Sequence, residues 1–164
     1  MSQVVLKLGD DISTDTIYPG RFMATVLPSE TPQFAFADLE INAALKDKKV
    51  PAGSVIIAGH NFGCGSSREQ AASTLQGHGL IIVAKGFARI FLQNSCNLGL
   101  RTVICPGIDA SEGDVVEIAE HAVTNTTTGE TFAIEPLPKA RQAIIDAGGL
   151  IAYTRRRVLD QAKG

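Results

Sequence analysis

Along the chain, short apolar runs are separated by glycine- and proline-rich breaks, and the period of the apolar positions changes twice. Val4–Leu8 alternates as a strand does, and Gly9-Asp10-Asp11 then signals a turn. Asp10–Phe22 reads as an ordered loop, because Pro19 and Gly20 sit side by side and Ser13-Thr14-Asp15-Thr16 is polar. Met23–Gln33 carries Pro28 and Pro32 and is expected to be the most mobile stretch. Phe34–Leu45 has apolar residues at helical spacing (Phe34, Ala37, Leu39, Ile41, Ala44, Leu45), and Lys46–Lys49 is a solvated turn.

The middle of the chain is simpler. Val55–Ala58, Leu80–Ala84 and Leu100–Cys105 are continuous apolar runs, the pattern of strands covered on both faces. Between them lie helical segments at Arg68–His78 and Gly86–Asn97, so strand, helix, strand, helix, strand predicts a parallel α/β core with crossover connections. Beyond residue 108 the period becomes two. Gly113–Ala119, His121–Asn125 and Thr131–Ile134 read as antiparallel strands, the last two joined by a turn at Thr128–Glu130. Pro136 and Pro138 lead into amphipathic helices at Lys139–Ala147 and Leu150–Ala162, whose arginines (Arg155, Arg156, Arg157) suit a solvated face. No repeat and no linker composition divides the chain, so residues 1–164 are expected to form one domain.

Composition narrows the function classes. A length of 164 residues, 45% hydrophobic and 20% charged, suits a globular domain able to bury its own core. A net charge of −2 recommends neither nucleic acid nor an anionic membrane as partner. No apolar run approaches the roughly 20 residues of a membrane span, and MSQVVLKLGDD lacks a signal-peptide layout. Cys64, Cys96 and Cys105 are odd in number and widely spaced, which suits a reducing cytoplasm better than a disulfide framework. Neither the cysteines nor His60, His78 and His121 have metal-ligand spacing, so no metal is expected on this chain.

The stretch GHNFGCGSSRE, Gly59–Glu69, carries the chemistry. A strand runs into Gly59, Gly63 and Gly65, and a helix leaves with Ser66, Ser67 and Arg68 at its mouth. Glycines let backbone N–H groups approach a ligand, free N–H groups at a helix start attract an anion, and a guanidinium matches a carboxylate with two parallel bonds. Ser66 with Glu69, and Ser67 with Gln70, also match capping boxes, so one serine could do no more than cap the helix. Arg68 argues for a ligand, because a cation at a helix start opposes the dipole. The Lys of a P-loop, the third Gly of G-x-G-x-x-G and the nucleophile elbow are all missing. Cys64, at the helix approach, lacks an evident base or resolving cysteine.

Asn61–Glu69 resembles the signature of the aconitase superfamily's swivel domain. Gly9–Pro19 is similar to that domain's other signature, in the form found in stand-alone small subunits of the 3-isopropylmalate dehydratase and homoaconitase type. Gly86–Phe91, Asn94-Ser95 and Asn97–Leu100 match in order as well. The resemblance implies a three-layer β/β/α swivelling domain, like aconitase domain 4, within the α/β class. It implies a hydro-lyase acting on a hydroxy-polycarboxylic acid. Ser66 falls at the family's serine base, Ser67 and Arg68 on its carboxylate-binding positions, and Gly63, Gly65 and Asp15 on the supporting loops.

A large subunit bearing a [4Fe-4S] cluster is the implied partner. The loop Phe22–Thr25 reads the substrate in this family, and homoaconitase-like members place an arginine near Ala24. A small residue there favours an alkyl-substituted malate such as isopropylmalate, as in leucine biosynthesis, with Arg21, Ala24 and Thr25 near the substrate. Methyl- or dimethylmalate, a citrate-like acid, or homoaconitase substrates with Arg21 swung in are the alternatives. A non-catalytic carboxylate-binding regulatory module is the alternative of another class.

Overall fold

The computed structural model describes residues 1–163. Seven strands form one sheet: β1 (Ser2–Lys7), β2 (Val55–Ala58), β3 (Ile81–Ala84), β4 (Arg101–Ile104), β5 (Val115–Ile118), β6 (Ala122–Asn125) and β7 (Glu130–Ala133), in spatial order β4-β3-β2-β1-β5-β6-β7. The first four are parallel, in register at Val55↔Ile81↔Arg101. The last three are antiparallel and join through a Ser2↔Val116 pairing.

The apolar runs explain the layering. Every residue of β2 and β3 is buried, because alternate side chains serve two different cores. Ile56, Ala58, Ile82 and Ala84 pack with Leu75, Phe62 and Phe91 on the helical side. Val55, Ile57, Ile81 and Val83 pack with Val116 and Val123, so β5–β7 curl over the opposite face. Strands, strands and helices make the three layers β/β/α. The crossover helices are α3 (Glu69–Gly77) and α4 (Arg89–Leu98), while α5 (Lys139–Asp146) and α6 (Leu150–Lys163) follow the sheet. None of the described helices is long and apolar enough to cross a membrane.

The excursion between β1 and β2 departs from expectation. Asp10–Phe22 is not all loop: Ser13 caps a single helical turn, α1 (Thr14–Ile17), by accepting a hydrogen bond from Asp15 N, and Gly20–Phe22 is a 3-10 turn. No helix spans Phe34–Leu45. Thr31–Phe34 is a 3-10 turn, and only α2 (Ile41–Lys46) is helical. Phe36 lies in the left-handed region (φ 49°), donates its N–H to Ile17 O at 2.8 Å, and buries its ring completely. Asn42 Nδ2 donates to the carbonyls of Gln33 and Ala35, taking the place of helical N–H groups. Tertiary packing overrode the helical spacing.

Met23–Gln33 is tied to α3 near both ends, through Gln70 Nε2 to Met23 O and Thr74 Oγ1 to Thr31 O. Because Phe36 anchors the wrapped segment from an unfavourable backbone region, Phe36→Ala is expected to lower unfolding stability by about 3–5 kcal/mol, the usual cost of emptying a buried phenylalanine site. A urea midpoint unchanged from wild type would refute this.

Candidate active site

Two glycine-rich segments about fifty residues apart meet at the carboxyl end of β2, where open α/β sheets place ligands. Gly59 N donates to Gly9 O (3.0 Å), Asp11 N to His60 O (2.9 Å), Gly63 N to Ile12 O (2.8 Å) and Thr14 N to Cys64 O (2.8 Å). Ser13 and Cys64 thereby form a parallel bridge, and Phe62 makes another with Phe87. Gly63 has no substitute here: its φ is +86°, and a Cβ would lie 2.2 Å from the Phe91 ring. Gly65, at φ +98°, delivers the chain to Ser66.

Neither serine caps α3. Arg68 is the cap residue, with extended backbone and no side-chain bond to the helix. The capping-box alternative is therefore corrected. Ser66 Oγ lies 3.2 Å from Thr14 Oγ1, and Ser67 O accepts from Asn94 Nδ2 (3.3 Å). Both serines are exposed. Cys64 is half-buried within the bridge.

Arg68 is folded across the junction, with its side chain only 11% exposed. Its Nη1 donates to Tyr18 O (2.7 Å) and Asp15 Oδ1 (3.1 Å), while its buried Nε has no partner. Asp15 Oδ1 also accepts from Gly20 N at 2.8 Å. The Gly20 N–H first, and then Arg68, hold the Asp15 carboxyl below the usual carboxylate range. One edge of the guanidinium is thus engaged by protein, and the buried Nε has no hydrogen-bond partner.

The remaining residues named from the sequence lie further along the same segment. Arg21 is paired with Asp38 (Nη1 to Oδ2, 3.0 Å) and stands over the Phe22 ring at 4.6 Å. That pair holds its side chain on the wrapped segment. Ala24 is exposed and Thr25 half-buried. The Thr25 and Phe22 carbonyls both accept from Tyr18 Oη, at 3.1 and 2.9 Å. Burial pushes the Tyr18 phenol above its ordinary pKa, so it stays a neutral donor. Thr14, Tyr18 and Asp38 were not singled out from the sequence as site residues. The polar run at Ser13–Thr16 was the available signal for Thr14, and none marked Asp38.

Among the described residues no group of His, Cys, Asp or Glu side chains is arranged to hold a metal. Cys96 and Cys105 are buried, with their thiols directed to Arg141 O and Ala133 O. A cavity of about 680 Å³ opens elsewhere, between Arg101–Ile104 and Pro136–Pro138, and none of the residues above lines it. Ser66 and Ser67 lie on an open rim, while the Arg68 side chain beside them is mostly covered.

Residues 11–106 match the family model described as the aconitase C-terminal domain. The chain is 40% identical over 159 residues to a 3-isopropylmalate dehydratase small subunit from Methanosarcina acetivorans, covering 94% of this chain and 96% of that one. It is also 40% identical to the methanogen homoaconitase small subunit of Methanocaldococcus jannaschii, covering 96% of this chain and 92% of that one. A crystal structure of 3-isopropylmalate dehydratase from Methanocaldococcus jannaschii superposes with a TM-score of 0.88 at 39% identity, covering 98% of this chain and 96% of that one.

The depressed Asp15 carboxyl gives a pH test. A group whose folded pKa lies below its unfolded value stabilises the fold above the unfolded value, near 3.8, and ceases to do so as pH falls through the folded value. Asp15→Asn is expected to be less stable than wild type at pH 7, with the difference shrinking as pH falls below the unfolded value and through the folded one. Parallel stability curves across that range, measured by thermal unfolding, would count against the contact.

Proposed function

The chain belongs to the aconitase C-terminal domain family, and from that premise we propose that it is the small subunit of a two-subunit hydro-lyase, 3-isopropylmalate dehydratase of leucine biosynthesis. The whole chain acts as one swivel domain in the cytoplasm, where its thiols stay free. The observation that carries the reading is an exposed serine hydroxyl next to a guanidinium that still has an unpartnered nitrogen.

In this reading Ser66 takes up the proton alpha to a substrate carboxylate as an alkoxide. Ser66, now a hydroxyl, returns that proton when the departed hydroxyl group is added back, so the cycle closes without a net proton on the enzyme. Arg68, whose Nε still lacks an acceptor, is the cation that meets the carboxylate, and Ser67 with the opening turn of α3 stands beside it. Positioned charge of this kind is what a weak base such as serine requires. A [4Fe-4S] cluster on the large subunit supplies the Lewis acid for the departing hydroxyl.

Substrate choice follows from the wrapped segment. Ala24 presents no cation, and Arg21 is occupied by Asp38, so a second, distal carboxylate finds no ready partner there. That favours the alkyl group of 3-isopropylmalate over homoaconitase substrates, while smaller methyl- or dimethylmalates fit the same logic less fully. Met23, Val26 and Leu27, exposed on this segment, give the large subunit an apolar edge to cover.

Ser66→Ala in the reconstituted pair is expected to lower kcat for 3-isopropylmalate by about 10²–10⁴-fold, the span of positioned acid–base catalysis. Co-elution with the large subunit should be retained. Full turnover by the alanine variant would reduce the site to a carboxylate-binding module.

A further inference from the structure

We infer that Thr14 is a positioning residue whose hydroxyl proton moves between two acceptors on Ser66 according to whether Ser66 carries its own proton. The inference rests on the reading of Ser66 as the base. Thr14 is 2% exposed, and its backbone is pinned by the bond from its N–H to Cys64 O. Its Oγ1 lies 3.2 Å from Ser66 Oγ and 3.3 Å from Ser66 O. Both potential acceptors therefore belong to one residue, and a hydroxyl has a single proton to give.

The count of protons dictates the direction of each bond. With Ser66 protonated, Ser66 Oγ–H can donate to Thr14 Oγ1 while Thr14 donates to the Ser66 carbonyl. With Ser66 ionised, Oγ has no proton, so the only hydrogen bond possible between the two hydroxyl oxygens runs from Thr14 to the alkoxide. A rotation about the Thr14 Cβ–Oγ1 bond makes the change, with no heavy atom displaced. The alkoxide gains a charge-assisted bond, and the neutral form loses nothing. Such a bond is strongest in the state that removes the substrate proton, so it raises kcat rather than affinity.

Asp15, the next residue, does the equivalent service for Arg68 through Oδ1. A single short turn thus holds both the hydroxyl and the guanidinium. The two contacts are separable by mutation, since the Thr14 hydroxyl bonds Ser66 and the Asp15 carboxylate bonds Arg68.

The experiment uses the assembled two-subunit enzyme with Thr14→Val and Thr14→Ser. Thr14→Val, nearly equal in size, is expected to lower kcat by about 10–100-fold, somewhat less than removal of an oxyanion-hole donor, with KM within about twofold of wild type. Thr14→Ser is expected to recover most of that loss. Substrate deuterated at the abstracted position should show a larger isotope effect in the valine variant, because proton removal becomes more rate-limiting. A valine variant within about twofold of wild-type kcat, or a serine variant as slow as the valine one, would overturn the inference. The latter result would assign the effect to packing of the methyl group. If the valine variant fails to co-elute with the large subunit, Thr14→Ala carries the same comparison with the serine variant. Full activity in Ser66→Ala would instead refute the assignment of the base itself, so the two failures are distinguishable.

Discussion

The site depends on a short backbone ladder between Ile12–Thr14 and Gly63–Cys64. Its two rungs, Gly63 N to Ile12 O and Thr14 N to Cys64 O, join segments that are distant in sequence and otherwise belong to different turns. A ladder of this kind needs both backbones to come within hydrogen-bond reach, and the side chain at residue 63 is what would prevent it. Glycine there lets the Phe91 ring fill the space below while the backbone above stays in contact with Ile12. Phe91 in turn meets Phe62 edge-on at 5.2 Å and stacks with Phe87, so an aromatic cluster supports the ladder from the helical side. The rungs set which side chains face one another: Thr14 meets Ser66, and Asp15 meets Arg68.

Charge refines what the ladder begins. Two ion pairs lie along the same segment, Asp15 with Arg68 and Asp38 with Arg21. The acidic partners are more than half exposed, so neither pair contributes much to stability. Their consequence is orientation. Arg68 has Nη1 committed to Asp15 and to the Tyr18 carbonyl, which leaves Nε unpartnered. A buried N–H without an acceptor costs free energy, which an acceptor reaching that edge would relieve. Arg21 is committed through its end nitrogens to Asp38 and through its plane to Phe22.

The layout of the core was legible because strands buried on both faces have no alternative composition. Val55–Ala58 and Leu80–Ala84 could be read as buried strands, and the glycine-rich turn between β2 and α3 stood out from its composition. The wrapped segment was not legible, for a specific reason. Phe34, Leu39 and Ile41 recur near helical spacing, yet they serve a turn that Phe36 closes from the left-handed region with its N–H on Ile17. Nothing local to Phe36 announces that bond. The serines misled in a similar way: their spacing to Glu69 and Gln70 fits two capping boxes, but the cap position of α3 falls on Arg68, two residues past Ser66 and one past Ser67. Arg21 pairs with a residue 17 positions away, and such a partner is set by the path of the chain rather than by any motif.

The openness of the rim bears on why a second polypeptide belongs in the proposed mechanism. In water an alkoxide from serine is disfavoured by many units of pKa, and hydrogen bonds to it compete with bulk solvent. The same Thr14 hydroxyl, Arg68 guanidinium and α3 dipole act far more strongly once water is excluded, because their fields are no longer screened. Ser66 and Ser67 are exposed here, and the apolar side chains that could help exclude water, Met23, Val26 and Leu27, point outward on the neighbouring segment. Covering that edge would bury apolar area and dehydrate the serine in one event. Association and activation of the base would then be one process. On this account the small subunit holds its polar groups in place beforehand, and closure by the partner changes their surroundings rather than their geometry.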